Sequence, residues 1–345
     1  MTSMSILFGW EIFSSLILQK IWHPSTLATR CIVMRDVSGL VTGLGSGALW
    51  GLNNFLFAIG YGVLADAALM SDFALFPLVG AAVNDVFAAA ALLFWYGMCG
   101  QLWKFIPQWR QRQGHAILAA ALLGGPVGQA CYALGVIWAG PSYALVITAS
   151  YPILGCLMAK VFLHQPMKRS MWLGTLFVAC GAGLVGYLPA QAEASFWGIL
   201  ASVVAACCWA MEIVLATWGM QEIEPAAAIT FREVISGSVL TVIAAVVLVS
   251  GGVPMAVVLA GVSESQVLWL AGAVAGFSYL LDYRANHLLG CARGMATNAT
   301  YIIWGVALNV LFADASIRDF EWLGCLLVFV GVLLVACGFE DGRTD

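Results

Sequence analysis

The sequence is divided into apolar segments that are each about long enough to cross a lipid bilayer. A helix needs about 20 apolar residues to span about 30 Å of hydrocarbon. Hydrophobic residues make up 62% of the 345 residues and charged residues only 9%, whereas soluble domains carry about 25% charged residues. No region is polar enough for a soluble domain, so the chain is predicted to be one all-α integral membrane protein. The predicted spans are residues 38–63, 74–98, 115–138, 142–163, 170–188, 196–218, 226–250, 267–288, 294–312 and 320–338.

The second half of the sequence repeats the pattern of the first half. A shift of 150 residues places five residues on identical ones, namely Gly140, Tyr151, Gly155, Gly174 and Gly181 on Gly290, Tyr301, Gly305, Gly324 and Gly331. Nearer the start of each copy the shift is 159, which places Gly39 and Trp50 on Gly198 and Trp209. Each copy holds five spans, and an odd number of crossings inverts the second copy relative to the first. We therefore predict ten transmembrane helices in two inverted five-helix repeats.

The predicted repeats cover residues 38–188 and 189–338, with a segment on either side. The first segment, residues 1–37, is open to two interpretations. It is either an interfacial helix or a sequence upstream of a true start at Met34. Residues 339–345 form a predicted tail.

Lysine and arginine residues are concentrated in alternate loops. If the N-terminus lies inside, the cytoplasmic segments hold ten of these residues and the opposite loops hold only Arg318. Basic residues in short loops favour the cytoplasmic side of a membrane. We expect a multi-pass protein of the plasma or inner membrane with both termini in the cytoplasm.

Several short motifs occur in a consistent order along the chain. The first copy carries Tyr151-Pro152 in mid-span and Leu173-Gly174 at the start of the next span, and the second copy carries Leu323-Gly324. Together with Trp209-Ala210 and Arg232, this order resembles the ten-helix drug/metabolite transporters of the EamA type. The resemblance covers about residues 38 to 338 and implies transport of a small organic solute. It does not imply a particular substrate, because the family handles chemically diverse solutes.

The chain also departs from that family pattern. It has His164-Gln165 where the family usually has Gly-Glu, and Asp314-Ala315 at the equivalent place in the second copy. It has Ile302 where the family often has proline. These departures affect helix ends and a mid-span position, and they weigh little against transport.

An ionisable side chain inside a membrane is costly unless it is paired or hydrated, so each one suggests a function. Glu212 is the leading candidate because it aligns with Asn53, and inverted repeats place equivalent positions around a shared central cavity. A carboxylate there is suited to binding a substrate amine or taking up a proton. The alternative is a structural ion pair with Arg232 or Arg284.

Three further charged candidates are predicted near the same cavity. Arg232 is suited to gripping an anion, because a guanidinium forms two parallel hydrogen bonds to a carboxylate or phosphate. Asp85 and Glu233 occupy matched positions in Asn84-Asp85-Val86 and Arg232-Glu233-Val234. The alternative is that these residues neutralise one another.

Asp282 is a second candidate proton site, and it aligns with Tyr132 of the first copy. It lies about 200° around a helix from Arg284, so the two side chains are expected to meet different partners. The places where the two copies differ, Asn53 with Glu212 and Tyr132 with Asp282, are where we expect a ligand to break the symmetry.

Aromatic side chains are further candidates for the cavity wall, where they could stack on an organic ligand or attract a cation. The predicted binding residues are Trp50, Trp209, Tyr151 and Tyr301, and packing alone is the alternative for each. Pro152 lacks a backbone N–H in mid-span and is predicted to act as a hinge.

We expect a secondary transporter for an amino-acid-like or related metabolite, working by alternating access, with export as the direction and protons as a coupling option. Efflux of drugs or lipophilic cations is the alternative, and a non-transporting sensor or scaffold is a different class. No P-loop, catalytic triad pattern or C-x-x-C pair occurs, so we expect no enzymatic activity, no cofactor and no metal. The expected partners are the solute and the lipid bilayer, without nucleic acid, and the protein is a monomer or homodimer.

Overall fold

A computed structural model describes residues 27–67, 76–101, 107–187, 195–313 and 316–337. Within these ranges the protein is helical and has no β-strand. We number its α-helices in chain order. The helices are α1 (Leu27–Ala67), α2 (Phe76–Met98), α3 (Arg112–Ala139), α4 (Pro141–Thr148), α5 (Tyr151–Phe162), α6 (Arg169–Val185), α7 (Phe196–Gly219), α8 (Pro225–Ser250), α9 (Met255–Glu264), α10 (Gln266–Leu289), α11 (Cys291–Asn298), α12 (Tyr301–Phe312) and α13 (Asp319–Cys337).

Two local features interrupt this regular pattern. A 3-10 turn, Pro107–Arg110, precedes α3, and the middle of α3 is a π-helical segment, Leu123–Val127, which contains Pro126. Proline removes a backbone donor, and a local π-helical adjustment is one way in which a membrane helix absorbs that loss.

The number of helices that can cross a membrane is close to the predicted ten. Within the described ranges, eight helical stretches are long and apolar enough, and a ninth arises if α9 and α10, bent by 77°, count as one span. The 17-residue α6 occupies the fifth predicted span and is shorter than the usual length of about 20 residues. Helix α9 was not predicted. The protein is therefore a multi-pass helical membrane protein, and its described ranges hold eight or nine spans by length and composition.

The segments that flank the predicted repeats are only partly described. Helix α1 begins at Leu27, so residues 27–37 belong to the first helix and run without interruption into the predicted span at 38–63. Residues 1–26 of the predicted N-terminal segment, and the tail at 339–345, lie outside the described residues.

Helices α6 and α13 cross at two pairs of glycines. A Cβ atom on any of these glycines would lie 2.5–2.7 Å from the backbone oxygen of the glycine that it faces. Small residues let membrane helices approach to backbone contact. The facing pairs are Gly174 with Gly331 and Gly181 with Gly324.

The remaining helices of the two halves are interleaved. Helix α1 packs along α10 and against α11 and α12, whereas α7 packs along α3 and against α4 and α5. Helix α2 packs along α8 and α10. As a result, each half of the chain packs its first helix against the third and fourth spans of the other half, and a central space remains between them.

The two ends of the bundle differ. We call the end where α12 finishes and α13 begins the mouth end, and the end where α7 finishes and α8 begins the closed end. Two buried apolar clusters fill the closed end, one around Tyr96, Met220 and Ile223 and one around Cys156 and Met295. A side-chain amide also closes this end, because Gln165 Oε1 accepts a hydrogen bond from the backbone N–H of Cys291 at 3.1 Å.

Candidate functional site

A cavity of about 840 Å³ lies between helices from both halves of the chain. Its volume falls in the range of about 300–1,000 Å³ that is usual for small-molecule sites. The exposed residues of its wall, Asn54, Pro77, Asn309 and Ser316, belong to the mouth-end side of the wall. The cavity is therefore reached from the mouth end and stops short of the closed end.

The structure brings almost all of the predicted site residues to this one cavity. Its wall includes Trp50, Asn53, Asp85, Tyr151, Pro152, Trp209, Glu212, Arg232, Asp282 and Tyr301. Glu233 does not line the cavity, because its side chain is fully buried beside Arg232. Whether any of these residues contacts a solute stays a prediction.

Four charged residues form a buried network that we call the arginine cluster: Asp85, Glu212, Arg232 and Glu233. Arg232 Nε donates to Glu212 Oε1 at 2.7 Å, and Arg232 Nη1 donates to Glu233 Oε1 at 2.7 Å. Arg232 Nη1 also lies 3.5 Å from Asp85 Oδ2. Because helices α2, α7 and α8 carry these residues, the network ties three helices together. The predicted alternative, a structural ion pair between Glu212 and Arg232, is the arrangement that the structure contains.

Neutral groups complete the arginine cluster. Ser236 Oγ donates to Asp85 Oδ2 at 2.5 Å, and Tyr283 Oη lies 3.4 Å from Glu212 Oε1. The guanidinium carbon of Arg232 lies 5.2 Å from the centre of the Tyr279 ring, within cation–π range. Buried ion pairs are stabilising only when such additional hydrogen bonds satisfy the charged groups.

Asp282 lies on the same cavity wall but outside the arginine cluster. It is 8% exposed, and its Oδ1 atom has no hydrogen-bond partner among the described residues. No lysine or arginine in the described ranges lies within ion-pair distance of it. Arg284, two residues further along α10, is exposed and points elsewhere.

Two pairs of aromatic rings stand on the cavity wall. The Trp50 ring lies 4.8 Å from the Tyr279 ring, and the Trp209 ring lies 5.6 Å from the Tyr132 ring. Trp209 is fixed further because its Nε1–H donates to the backbone oxygen of Gly124 at 3.0 Å. The matched tryptophans of the two copies thus each pack against a tyrosine.

Asn53, the equivalent of Glu212, is held by neutral partners. Its Nδ2 group donates to Asn84 Oδ1 and to the backbone oxygen of Ala271, both at 2.9 Å. The two equivalent positions therefore have different tasks, since Glu212 binds an arginine and Asn53 joins α1 to α2 and α10.

The fourth span of each copy is a broken helix. One break, at Ala149 and Ser150, separates α4 from α5, and the other, at Ala299 and Thr300, separates α11 from α12. At each break a hydroxyl adds a hydrogen bond to the backbone, because Ser150 and Thr300 donate to the backbone oxygen three residues earlier. Broken helices of this kind occur in membranes where they line a cavity.

Pro152 follows the first break and does not cause it alone. It stands in the first turn of α5, where its missing N–H costs no hydrogen bond. The second break occurs before Ile302, without proline. The predicted hinge role of Pro152 stays a prediction, and an alanine followed by a hydroxyl residue within the break is a feature that the two copies share.

Comparison with known proteins identifies the family. The model of the EamA-like transporter family matches residues 37–187 and again residues 196–337. The chain belongs to the EamA-like transporter family. Protein LicB of Haemophilus influenzae is 24% identical over 254 residues, which cover 71% of this chain and 85% of LicB. A solved structure described as the crystal structure of a protein superposes with a TM-score of 0.65 at 15% identity, covering 88% of this chain and 99% of the other.

Some residues of this EamA-like site were not singled out from the sequence. Ser236 binds Asp85, and Gln129 and Asn298 line the cavity. Ser236 lies four residues after Arg232 on α8, so its helical face was a usable signal. The positions of Gln129 and Asn298 depend on how the helices pack.

Proposed function

We propose that this EamA-like protein is a secondary transporter for a small organic solute that carries a cationic nitrogen. One observation carries the proposal: among the described residues that line the cavity, carboxylates and aromatic rings are abundant and Arg232 is the one basic residue. Aromatic faces and carboxylates both attract organic cations, more strongly where water is excluded.

An anionic or amino-acid-like solute receives less support. Binding its carboxylate would require Arg232, which already donates to Glu212 and Glu233. An anionic solute would compete with the three buried carboxylates that share this guanidinium. The predicted alternative of an organic cation therefore fits the cavity better than the predicted amino-acid-like metabolite.

We also propose that ten helices form two inverted repeats. The same family model matches each half of the chain, and the fourth span is broken at matched positions. The glycine crossing supports the inversion. Gly174 and Gly324 are equivalent, as are Gly181 and Gly331, and each glycine faces the non-equivalent one across α6 and α13. A two-fold axis in the membrane plane produces this reciprocal contact.

This architecture supports the proposal of alternating access. The cavity opens at the mouth end, and two apolar clusters with the Gln165–Cys291 hydrogen bond block the closed end. In the predicted orientation the mouth end faces the outside. Transport requires the closed end to open while the mouth end closes. Export and proton coupling stay predictions.

Proteoliposomes that contain the purified protein test the proposed function. We expect them to exchange a labelled organic cation across the membrane, with saturation at high concentration, and vesicles without protein to show no exchange. Imposed pH gradients of either sign reveal whether protons drive the flux. Tight binding without any flux would instead favour a sensor, the alternative class.

A further inference from the structure

We propose that Asp282, and not Glu212, is the carboxylate that binds the cationic group of the solute. This inference rests on the proposed function and deepens it by assigning the specificity-determining residue. It reverses the ranking of the two acids that the sequence suggested. The structure supplies three independent observations for it.

The first observation is that the Glu212 oxygen that faces the arginine cluster already has partners. Its Oε1 accepts the Arg232 hydrogen bond at 2.7 Å and is within 3.4 Å of the Tyr283 hydroxyl. Its Oε2 is pressed against the backbone of Gly124, so closely that a Cβ on that glycine would overlap it. Glu212 therefore packs α7 against α3 and binds Arg232 of α8, so its charge is already paired with a guanidinium.

The second observation is that Asp282 is buried without a cationic partner. It is 8% exposed, its Oδ1 accepts no hydrogen bond from the described residues, and it lines the cavity. Burying an unpaired carboxylate is unfavourable unless something neutralises it. Because Asp282 lines the cavity, a cation held in the cavity supplies the missing charge.

The third observation is the helical face that presents Asp282. Tyr279, Asp282, Tyr283 and Asn286 follow one another at helical spacing, and all four lie on the protein-facing side of α10, whereas Arg284 is exposed. The Tyr279 ring packs against the Trp50 ring, and the two ring centres are 4.8 Å apart. Rings beside one unpaired carboxylate form an arrangement that suits an alkylammonium ion, whose charge is spread over apolar groups.

Calorimetric titration of the purified protein in lipid nanodiscs tests the assignment. Tetramethylammonium is the charged probe, and tert-butanol, with the same number of heavy atoms, is the uncharged control. We expect the wild-type protein to bind tetramethylammonium and not tert-butanol. We expect Asp282→Asn to weaken tetramethylammonium binding by about tenfold or more, because contacts to charged groups are about that strong.

Two further variants separate a binding role from a structural one. Asp282→Glu retains the charge, so it should retain most of the affinity. Glu212→Gln retains acceptors for Arg232 and Tyr283, so its affinity should stay within about threefold of wild type, as expected when a charge does not contact the ligand.

The outcomes identify which idea fails. If Asp282→Asn and Asp282→Glu both bind like wild type while Glu212→Gln loses binding, the assignment to Asp282 is wrong and the cation proposal survives. If the wild-type protein binds tert-butanol as well as tetramethylammonium, the cation proposal itself fails. If Asp282→Asn does not fold, loss of affinity in Glu212→Gln or in Asp282→Glu overturns the assignment, and retained affinity in both supports it.

Discussion

The arginine cluster and Asp282 lie on the wall of the same cavity, yet their carboxylates have opposite surroundings. In the cluster, three acids share one guanidinium with contacts of 2.7, 2.7 and 3.5 Å, and serine and tyrosine hydroxyls add further contacts. Asp282 has a comparable burial but no ion-pair partner among the described residues. Burial alone therefore does not distinguish the two sites, whereas the presence of a counter-charge does.

This difference separates a structural task from a binding task. Removing one member of a buried ion pair leaves the other charge uncompensated, and the loss of stability is large. Removing a charge that has no partner leaves nothing uncompensated. Variants that alter the two sites in the same way should therefore have different effects on stability, and the differences can be ranked.

The largest expected effect is that of Arg232→Met, which leaves three carboxylates buried together. We expect a loss of about 3–5 kcal/mol in the free energy of unfolding, the usual consequence of removing one partner of a buried pair. Thermal unfolding in a fixed detergent measures it. Arg318→Met is the matched control, because the Arg318 side chain is 39% exposed and its pair with Glu321 should contribute at most about 1 kcal/mol. Equal effects of the two variants would contradict a special role for the cluster.

Asn53→Asp should cause the next largest loss of stability, because it adds a carboxylate that has no cation beside it among the described residues. The aspartate cannot donate to Asn84 Oδ1 or to the backbone oxygen of Ala271, and it faces both acceptors. We expect a loss of about 3 kcal/mol, the penalty for unsatisfied buried charged groups. Asn309→Asp on the exposed face of α12 is the control and should be much milder. A stable Asn53→Asp protein would mean that Arg232 or water reaches this site.

The same truncation at the two acids compares the sites directly. Glu212→Ala leaves Arg232 Nε and the Tyr283 hydroxyl without their acceptor and should cost about 1–3 kcal/mol. Asp282→Ala removes no ion pair within the described ranges and should cost less than about 1 kcal/mol, since truncating a small side chain leaves a modest cavity. Similar unfolding midpoints for both variants would remove the distinction between the sites.

The sequence predicted which residues line the cavity better than it predicted which of those residues contact one another. Scarce charges in apolar spans, and the alignment of Asn53 with Glu212, were sufficient to nominate residues that the fold brings together, because a membrane rarely tolerates charges without partners. The pairing of Arg232 with Glu212 was one of two options that the sequence allowed. Only packing decided it, because Arg284 lies on another face of α10.

Other features could not be read from the sequence. The break before Tyr301 is not marked by a proline. The 77° bend between α9 and α10 occurs at Ser265, whose hydroxyl donates to the backbone oxygen of Gly60 on α1. At the bend Ser265 donates to a distant helix, whereas at the break Thr300 donates within its own span. The ranking of the two acids was uncertain too, since only the fold shows which carboxylate is already occupied.

The smallest expected change in the free energy of unfolding is that of Asp282→Asn, and it is the one expected gain in stability among these variants. Asp282→Asn replaces an unpaired buried carboxylate with a neutral amide of the same shape, so stability should rise by up to about 1 kcal/mol, because an uncompensated charge is removed. Transport and cation binding should fall in the same protein, the usual relation when a binding residue is held at a cost to stability. Thermal unfolding and tetramethylammonium titration on one preparation measure both quantities. If the variant is less stable and still binds the cation, Asp282 has a structural role like that of Glu212.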